Sequence, residues 1–423
     1  MRKIIFIFIF IFIMNGLYSL PNMASPPKMD FRPPGISGET WQFGPLNRWA
    51  YVHLREILPT KEIPNNPSVV SVISGLDKVS DDIVINLNNR PVKLSEIMEN
   101  LFVDGVLVIN DGTAVIERYG GYLTPDKPHI LWSVSKTITG LTAAAVANDG
   151  LIDLDKTVSQ YVPELAATGW STTTLRDMLD MRDTSDWTED YDAPDSTVRR
   201  QDCADGLLTG ELCADTEVVG NYEFLPSVGR DDSRKGKFFY KSGTTDVIAW
   251  VLEVATGKRF ADIVSEKIWK PIGAERSAGI TVDVSGFTLA SGGMFATLRD
   301  MGRIGQLMLN RGIYGDEQLI PADWMDDIFN QSGDSDIAQR SGLQPEWLSN
   351  NPNPYYRSFV WGLGDGYGTV YATGVHGQFV YVAPSTKTVI VMFSSWPNAD
   401  GGADGVGPKE AMELLRALEI AVN

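Results

Sequence analysis

Apolar and polar positions fall into blocks whose period changes along the chain. Val106-Leu107-Val108-Ile109 and Ala114-Val115-Ile116 flank Asn110-Asp111-Gly112, which predicts a hairpin over Gly105 to Tyr119. A second strand pair is predicted at Gln378 to Val382 and Thr388 to Ser394, separated by Pro384-Ser385-Thr386. Between these ends the spacing becomes helical. Val134, Ile138, Leu141 and Ala145 form a stripe after Ser133, and Asn148-Asp149-Gly150 stops it. Short or medium helices are predicted at Thr174 to Met181, Thr245 to Ala255 with Gly257 as its stop, and Arg299 to Asn310. Pro408 to Val422 carries a last stripe at Met412, Leu415 and Leu418. Asp183 to Gly236 is rich in Asp, Thr and Gly and reads as long loops.

Strands near both ends with helices between and after them predict an α+β fold. An antiparallel sheet, flanked by helices, is built from both ends, with a mostly helical lobe inserted. At 423 residues the chain suits two lobes. The expected division is 105–132 with 285–423 for the sheet lobe, and 133–284 for the helical lobe with its active-site loops. Residues 25–104 are an N-terminal extension and the start of the sheet lobe. Residues 1–24 read as an export signal: Arg2 and Lys3 precede an apolar run from Ile4 to Met14 that is too short to cross a bilayer. Cleavage after Ser19 or after Ala24 fits equally. That segment predicts a periplasmic or secreted protein with no membrane anchor once it is removed.

Charge and composition narrow the chemistry. Net charge is −18, from 36 Lys+Arg against 54 Asp+Glu, which argues against nucleic acid as a partner. The only histidines are His53, His129 and His376, in no metal-binding spacing, so no metal site is expected. No G-x-S-x-G elbow and no Gly-rich phosphate loop occurs. Cys203 and Cys213 are the only cysteines. In an oxidising compartment they could form a disulfide, or they are two free, partly buried thiols.

What remains is a serine–lysine pair. Ser133-Val134-Ser135-Lys136 opens a helical stripe, and residues three apart share a face. A serine hydroxyl is a weak nucleophile until a base takes its proton, and a desolvated lysine can be that base. Spacing alone is a weak signal, because Ser25-Pro26-Pro27-Lys28 shares it with two prolines inside. Tyr240 in Tyr240-Lys241-Ser242-Gly243 lies just before a predicted helix, where a neighbouring ammonium would favour its phenolate and make it a base. Gly374-Val375-His376-Gly377-Gln378 leads into a predicted strand, where a glycine admits a close substrate and an amide can point inward.

The order and spacing of these three elements resemble the serine β-lactamase-fold family. That family includes class C β-lactamases, DD-peptidases, related esterases and nylon-oligomer (6-aminohexanoate-dimer) hydrolases. Asp149-Gly150-Leu151-Ile152-Asp153-Leu154-Asp155, Ile268-Trp269-Lys270-Pro271-Ile272-Gly273 and Ser291-Gly292-Gly293-Met294 extend the likeness from Gly105 to the C-terminus. The resemblance implies a nucleophile at Ser133, its base at Lys136, a proton shuttle at Tyr240, and an oxyanion hole from the Ser133 and Gln378 amides. It implies no metal or organic cofactor, and a small amide or ester as the partner. Two departures matter. Ser242 stands where the second motif usually has Asn, and Val375-His376 where the third has a lysine that holds a substrate carboxylate. Met181-Arg182-Asp183, Trp187 to Tyr191 and Asn47-Arg48-Trp49 look most like the nylon-oligomer-hydrolase branch. By that likeness Tyr191 and Asp202 line the substrate cleft, with Ser242, His376 and Gly377 as further substrate contacts. The acidic stretch Asp183 to Asp215 suits a substrate carrying a free amine. The competing readings are a β-lactamase or DD-peptidase on the same fold, and a non-catalytic penicillin-binding-like protein.

Overall fold

Seven antiparallel strands form the main sheet, and both chain ends contribute to it. The computed structural model describes residues 30–76, 83–87, 90–330, 354–401 and 406–423. The expected export signal lies outside them. Contacts divide the chain into Met1–Arg32, of which only 30–32 are described, and Pro33–Asn423. Among the described residues no helix is long and apolar enough to cross a membrane.

In chain order, the elements that position the site are β1 (Thr60–Ile63), β2 (Val103–Asn110), β3 (Thr113–Tyr119), β4 (His129–Ile130), α1 (Val134–Asn148), α2 (Thr197–Ala204), α3 (Ser242–Thr256), β5 (Ala278–Thr281), β6 (Met294–Ala296), α4 (Leu298–Leu309), β7 (Tyr355–Arg357), β8 (Val360–Gly362), β9 (Val370–Gly374), β10 (Gln378–Ala383), β11 (Thr388–Ser394) and α5 (Pro408–Ala421). The main sheet runs β7-β8-β9-β10-β11-β2-β3. A second, four-stranded sheet runs β1-β5-β6-β4. The predicted hairpin is the β2–β3 pair, with Asp111 and Gly112 both at positive φ (45° and 77°), as a tight two-residue turn requires. The second predicted pair is β10–β11, in register from Phe379 opposite Met392 to Ala383 opposite Thr388.

Successive residues of β10 and β11 are all buried, so both faces of the central sheet are covered. That is why these strands read as continuous apolar runs. Helix α4 packs on β11, β10 and β2, and two glycines let it approach closely. A Cβ on Gly305 would stand 2.3 Å from Val389 Cγ1, and one on Gly302 2.7 Å from Leu107 Cδ2.

Helix α1 departs from the amphipathic stripe that its sequence suggests. Every residue from Val134 to Val146 is buried, so it is a central helix enclosed on all sides. The small residues Gly140, Ala143, Ala144 and Ala145 allow this; a Cβ on Gly140 would meet the Ser358 carbonyl at 2.5 Å. Helix α3 begins three residues earlier than its apolar stripe, at Ser242, and Gly257 ends it in the left-handed conformation (φ 68°). The stretch Asp183 to Gly236 is more ordered than its composition implies. It holds α2, the short helix Asn221–Phe224 and several 3-10 turns. Ser196 caps α2 by accepting from the Arg199 N–H. The two cysteines are bonded, Cys203 to Cys213, which ties the end of α2 to the following loop.

The N-terminal extension has its own core. Trp41, Trp49, Tyr51, Leu54 and Leu58 pack with Ile130, Trp132, Leu289 and Phe295. This places the extension against the turn that carries Ser133.

Candidate active site

Strand β4 runs into Leu131-Trp132-Ser133, and the chain then enters α1. Trp132 takes a left-handed φ of 46°, uncommon for a bulky residue and costing on the order of 1–3 kcal/mol. The stack of Trp41 on Trp132, with ring centroids 5.5 Å apart, supports that turn from the N-terminal extension. Ser133 is the N-cap of α1, but its hydroxyl makes no capping bond. It is bonded instead to Lys136: Nζ lies 2.7 Å from Ser133 Oγ and 2.8 Å from the Ser291 carbonyl. The predicted i, i+3 meeting of Ser133 and Lys136 is therefore present in space.

Tyr240 joins them. Its side chain lines the cavity beside Ser133, and Lys136 Nζ sits 5.0 Å from its ring centre. Trp361 stacks on that ring and Tyr356 meets it edge-on, so the phenol is held from two sides. Burial pushes the Lys136 pKa down to about 8, against the opposing pull of Glu189, Asp246 and Asp202. Burial, with Glu189, pushes the Tyr240 phenol above its usual range, and the nearby Ser133 only partly offsets this. Burial outweighs the Lys136 amine over its ring, so these surroundings favour the neutral phenol over the expected phenolate.

Two backbone amides beside the serine are unengaged. Neither the Ser133 N–H nor the Val375 N–H donates to an acceptor among the described residues. Gly374 brings the two segments together, since a Cβ there would stand 2.9 Å from Ser133 N and 2.6 Å from the Leu131 carbonyl. Gln378, expected as the second donor, is not at this point. It pairs with Gly374 across the β9–β10 ladder, and its side-chain amide donates to the His376 and Ser394 carbonyls at 3.1 and 2.7 Å. Val375 lines the cavity beside Ser133; Gln378 does not. Gly377 is corrected in the same way. Its φ is 88° and its Cα faces the Trp396 indole rather than the cleft.

The cleft has two parts that meet at Ser133 and Tyr191. One is a narrow recess of ≈ 30 Å³, room for about one water, where Gln42, Arg199, Asp202, Ser242 and His376 meet apolar walls from Trp132, Leu207 and Leu289. The other, of ≈ 110 Å³, is walled by Tyr240, Trp361, Trp396, Val375 and Asp400. Tyr191, Asp202, Ser242 and His376 thus lie where the resemblance put them. His376 brings no charge: burial lowers its pKa to about 4, and its Nδ1 bonds to the Trp396 carbonyl at 2.7 Å.

Several residues of this site carry no signal that spacing could reveal. Glu189 is buried among four donors: Tyr191 Oη (2.7 Å), Trp187 Nε1 (2.6 Å), the Ser242 N–H (2.8 Å) and the Ser242 hydroxyl. It therefore fixes both Tyr191 and Ser242. Arg199 donates from Nη1 to Asp202 Oδ2 at 3.1 Å and from Nε to the Tyr191 carbonyl at 2.7 Å. Burial still raises the Asp202 pKa to about 6 despite that arginine. Gln42, from the N-terminal extension, accepts from Arg199 at 3.3 Å while its buried Nε2 finds no acceptor among the described residues.

The pattern that defines the β-lactamase family matches residues 95–410. This chain belongs to the β-lactamase family. It is a serine hydrolase with the β-lactamase/transpeptidase-like α+β fold. A 6-aminohexanoate-dimer hydrolase of Paenarthrobacter ureafaciens is 33% identical over 366 residues, covering 86% of this chain and 88% of its own. A solved structure from Bacillus anthracis, named for the same activity, superposes with a TM-score of 0.78 at 27% identity, covering 92% of this chain and 96% of its own. The octameric penicillin-binding protein homologue of Pyrococcus abyssi, at 16% identity and a TM-score of 0.56 over 78% of this chain and 76% of its own, shares the fold alone. Gln42, from the N-terminal extension, lies outside the family match and yet lines the cleft of this β-lactamase-family protein.

Proposed function

We propose that this β-lactamase-family protein is an exported hydrolase of amide or ester bonds, of the 6-aminohexanoate-dimer-hydrolase type, working through an acyl-enzyme on Ser133. The observation that carries the reading is the buried Lys136 amine bonded to the Ser133 hydroxyl at 2.7 Å, beside two unengaged amides. Lys136 Nζ takes the Ser133 proton as Oγ bonds to the substrate carbonyl carbon. The Ser133 and Val375 amides receive the oxyanion. Tyr240 then gives its proton to the leaving group and is reprotonated from Lys136. Water attacks the acyl-enzyme, passes a proton to the same pair, and releases the acid with the Ser133 hydroxyl restored.

The substrate class follows from charge and from likeness. The curated relative acts on a 6-aminohexanoate dimer, an ω-amino amide. The carboxylate of Asp202, which lines the recess beside Ser133, suits the free amine of such a substrate. At the third motif Val375 and an uncharged His376 offer no cation for the carboxylate of a β-lactam. Export is supported by the segment 1–24 and by the Cys203–Cys213 bond, which persists in oxidising compartments. The test is a panel of p-nitrophenyl esters, short ω-amino amides and nitrocefin, run on wild type and Ser133→Ala. Turnover of amides or esters that vanishes in the variant is expected. Rapid nitrocefin turnover would favour the β-lactamase reading, and no turnover with no fluorophosphonate label on Ser133 would favour a pure binder.

A further inference from the structure

Asp246 is a fully buried carboxylate on α3, one turn into the helix that follows Tyr240. It has no contact with Ser133 or with the open cleft, yet each of its oxygens is engaged. Oδ1 accepts from the Ser291 N–H at 2.9 Å, and Oδ2 accepts from Gln201 Nε2 at 2.8 Å. Residue 291 is thereby held on both sides of its Cα, because its N–H meets Asp246 while its C=O, in the next peptide group, accepts from Lys136 Nζ at 2.8 Å. Among the described residues no carboxylate lies within ion-pair distance of Lys136. The only fixed acceptors around its Nζ are therefore a hydroxyl that must lose its proton and a carbonyl placed by Asp246.

We infer that Asp246 is a positioning residue for the base: it fixes the Ser291 carbonyl against Lys136 Nζ and supplies negative charge to the ammonium that forms when Ser133 is deprotonated. This rests on Lys136 being the base. By holding the Ser291 N–H, Asp246 fixes the backbone of residue 291 and with it the direction of the carbonyl that accepts from Lys136. A buried ammonium with no counter-charge would be costly, and a negative charge held one residue away lowers that cost without sequestering the amine in an ion pair. The groups that bear on Lys136 are Ser133 and Tyr240, with Glu189, Asp246 and Asp202 acting through space. Asp246 itself faces Gln201, the Ser291 amide, Lys136 and the buried Asp205. Burial raises the Asp246 pKa to about 6, with the Gln201 and Ser291 bonds opposing, so it is ionised over the range where Lys136 titrates.

The experiment is the pH dependence of kcat/KM for a p-nitrophenyl ester, pH 5 to 10, on wild type, Asp246→Asn and Lys136→Ala, with thermal melts of each. Asn keeps an oxygen for the Ser291 N–H and removes the charge. The expected result is a folded Asp246→Asn protein, about tenfold slower on the plateau, with its acid limb moved to lower pH by about half a unit. The direction follows because losing a negative charge weakens Lys136 as a base. An unmoved limb in a folded variant would overturn the inference, whatever the rate. If Asp246→Asn does not fold, Gln201→Leu removes the bond that keeps Asp246 ionised, and a smaller shift in the same direction is required. A Lys136→Ala protein that keeps both activity and the acid limb would sink the underlying assignment of the base instead, so the two failures are separable.

Discussion

Lys136 and Lys241 are both buried, and the chain uses them in opposite ways. Lys241 Nζ donates at 2.8 Å to Asp183 Oδ1 and at 2.8 Å to the Asp183 carbonyl, with neither side chain exposed. Although burial alone would push the Asp183 carboxyl up, Lys241 and the Ser185 hydrogen bonds hold it below its usual range. Burial lowers the Lys241 pKa as well, with Asp183 opposing, and it is the lowered Asp183 carboxyl that favours the charged pair. Lys136 has a hydroxyl and a carbonyl where Lys241 has a carboxylate, and its acidic neighbours act from farther away. Burial lowers its pKa to about 8. Burial lowers the pKa of both amines, so what separates the two lysines is the nearest acceptor. A carboxylate in contact makes a structural ion pair, and carboxylates at a distance leave a base in reach of its proton.

The sharpest way to break the contrast is to remove each amine. Lys136→Ala should lose about 10³-fold in kcat/KM while staying folded, since it leaves no carboxylate unpaired. Lys241→Ala should instead lose about 3–5 kcal/mol of stability by denaturant melt, because Asp183 would be left buried without its partner, and its remaining folded fraction should keep the wild-type acid limb. Equal stability loss in both would refute the distinction. Next in size, Val375→Pro removes one amide from the serine's neighbourhood. A loss of about 100-fold in kcat with a native melting profile is expected, and the same change at Gln378 should not reproduce it.

The pH profile is the next test. The base must be neutral, so kcat/KM should fall as pH drops through about 8, roughly tenfold per unit once well below it. A flat profile from pH 6 to 9 would show that Lys136 is not the titrating base. The smallest effect belongs to the N-terminal extension. Gln42→Ala should raise KM by about threefold with kcat little changed, if its free Nε2 meets substrate rather than only bracing Arg199.

Much of this was legible in the chain because it is local. The hairpin at Asn110-Asp111-Gly112 is set by turn chemistry, and the Ser133–Lys136 meeting by helical spacing. What escaped depends on distant segments meeting. The second amide was misplaced by three residues because two glycines, 374 and 377, look alike in sequence. Only the fold shows that Gly374 backs onto Ser133 N while Gly377 backs onto Trp396. Glu189 sits in an acidic stretch whose composition reads as solvated loop, and its burial depends on Trp187, Tyr191 and Ser242 closing over it. The favoured state of Tyr240 depends on its burial as well as on its neighbours. Proximity to an amine was visible in the sequence, and the desolvation that outweighs it was not.

The most direct measurement is the rate at which a fluorophosphonate labels Ser133, from pH 5 to 10, in wild type and Lys136→Ala. It reads the nucleophile without any question of substrate. The wild-type rate should rise with a midpoint near 8, and the variant should lose that rise and label about 10³-fold more slowly. A Lys136→Ala protein labelled at the wild-type rate across that range would contradict the account.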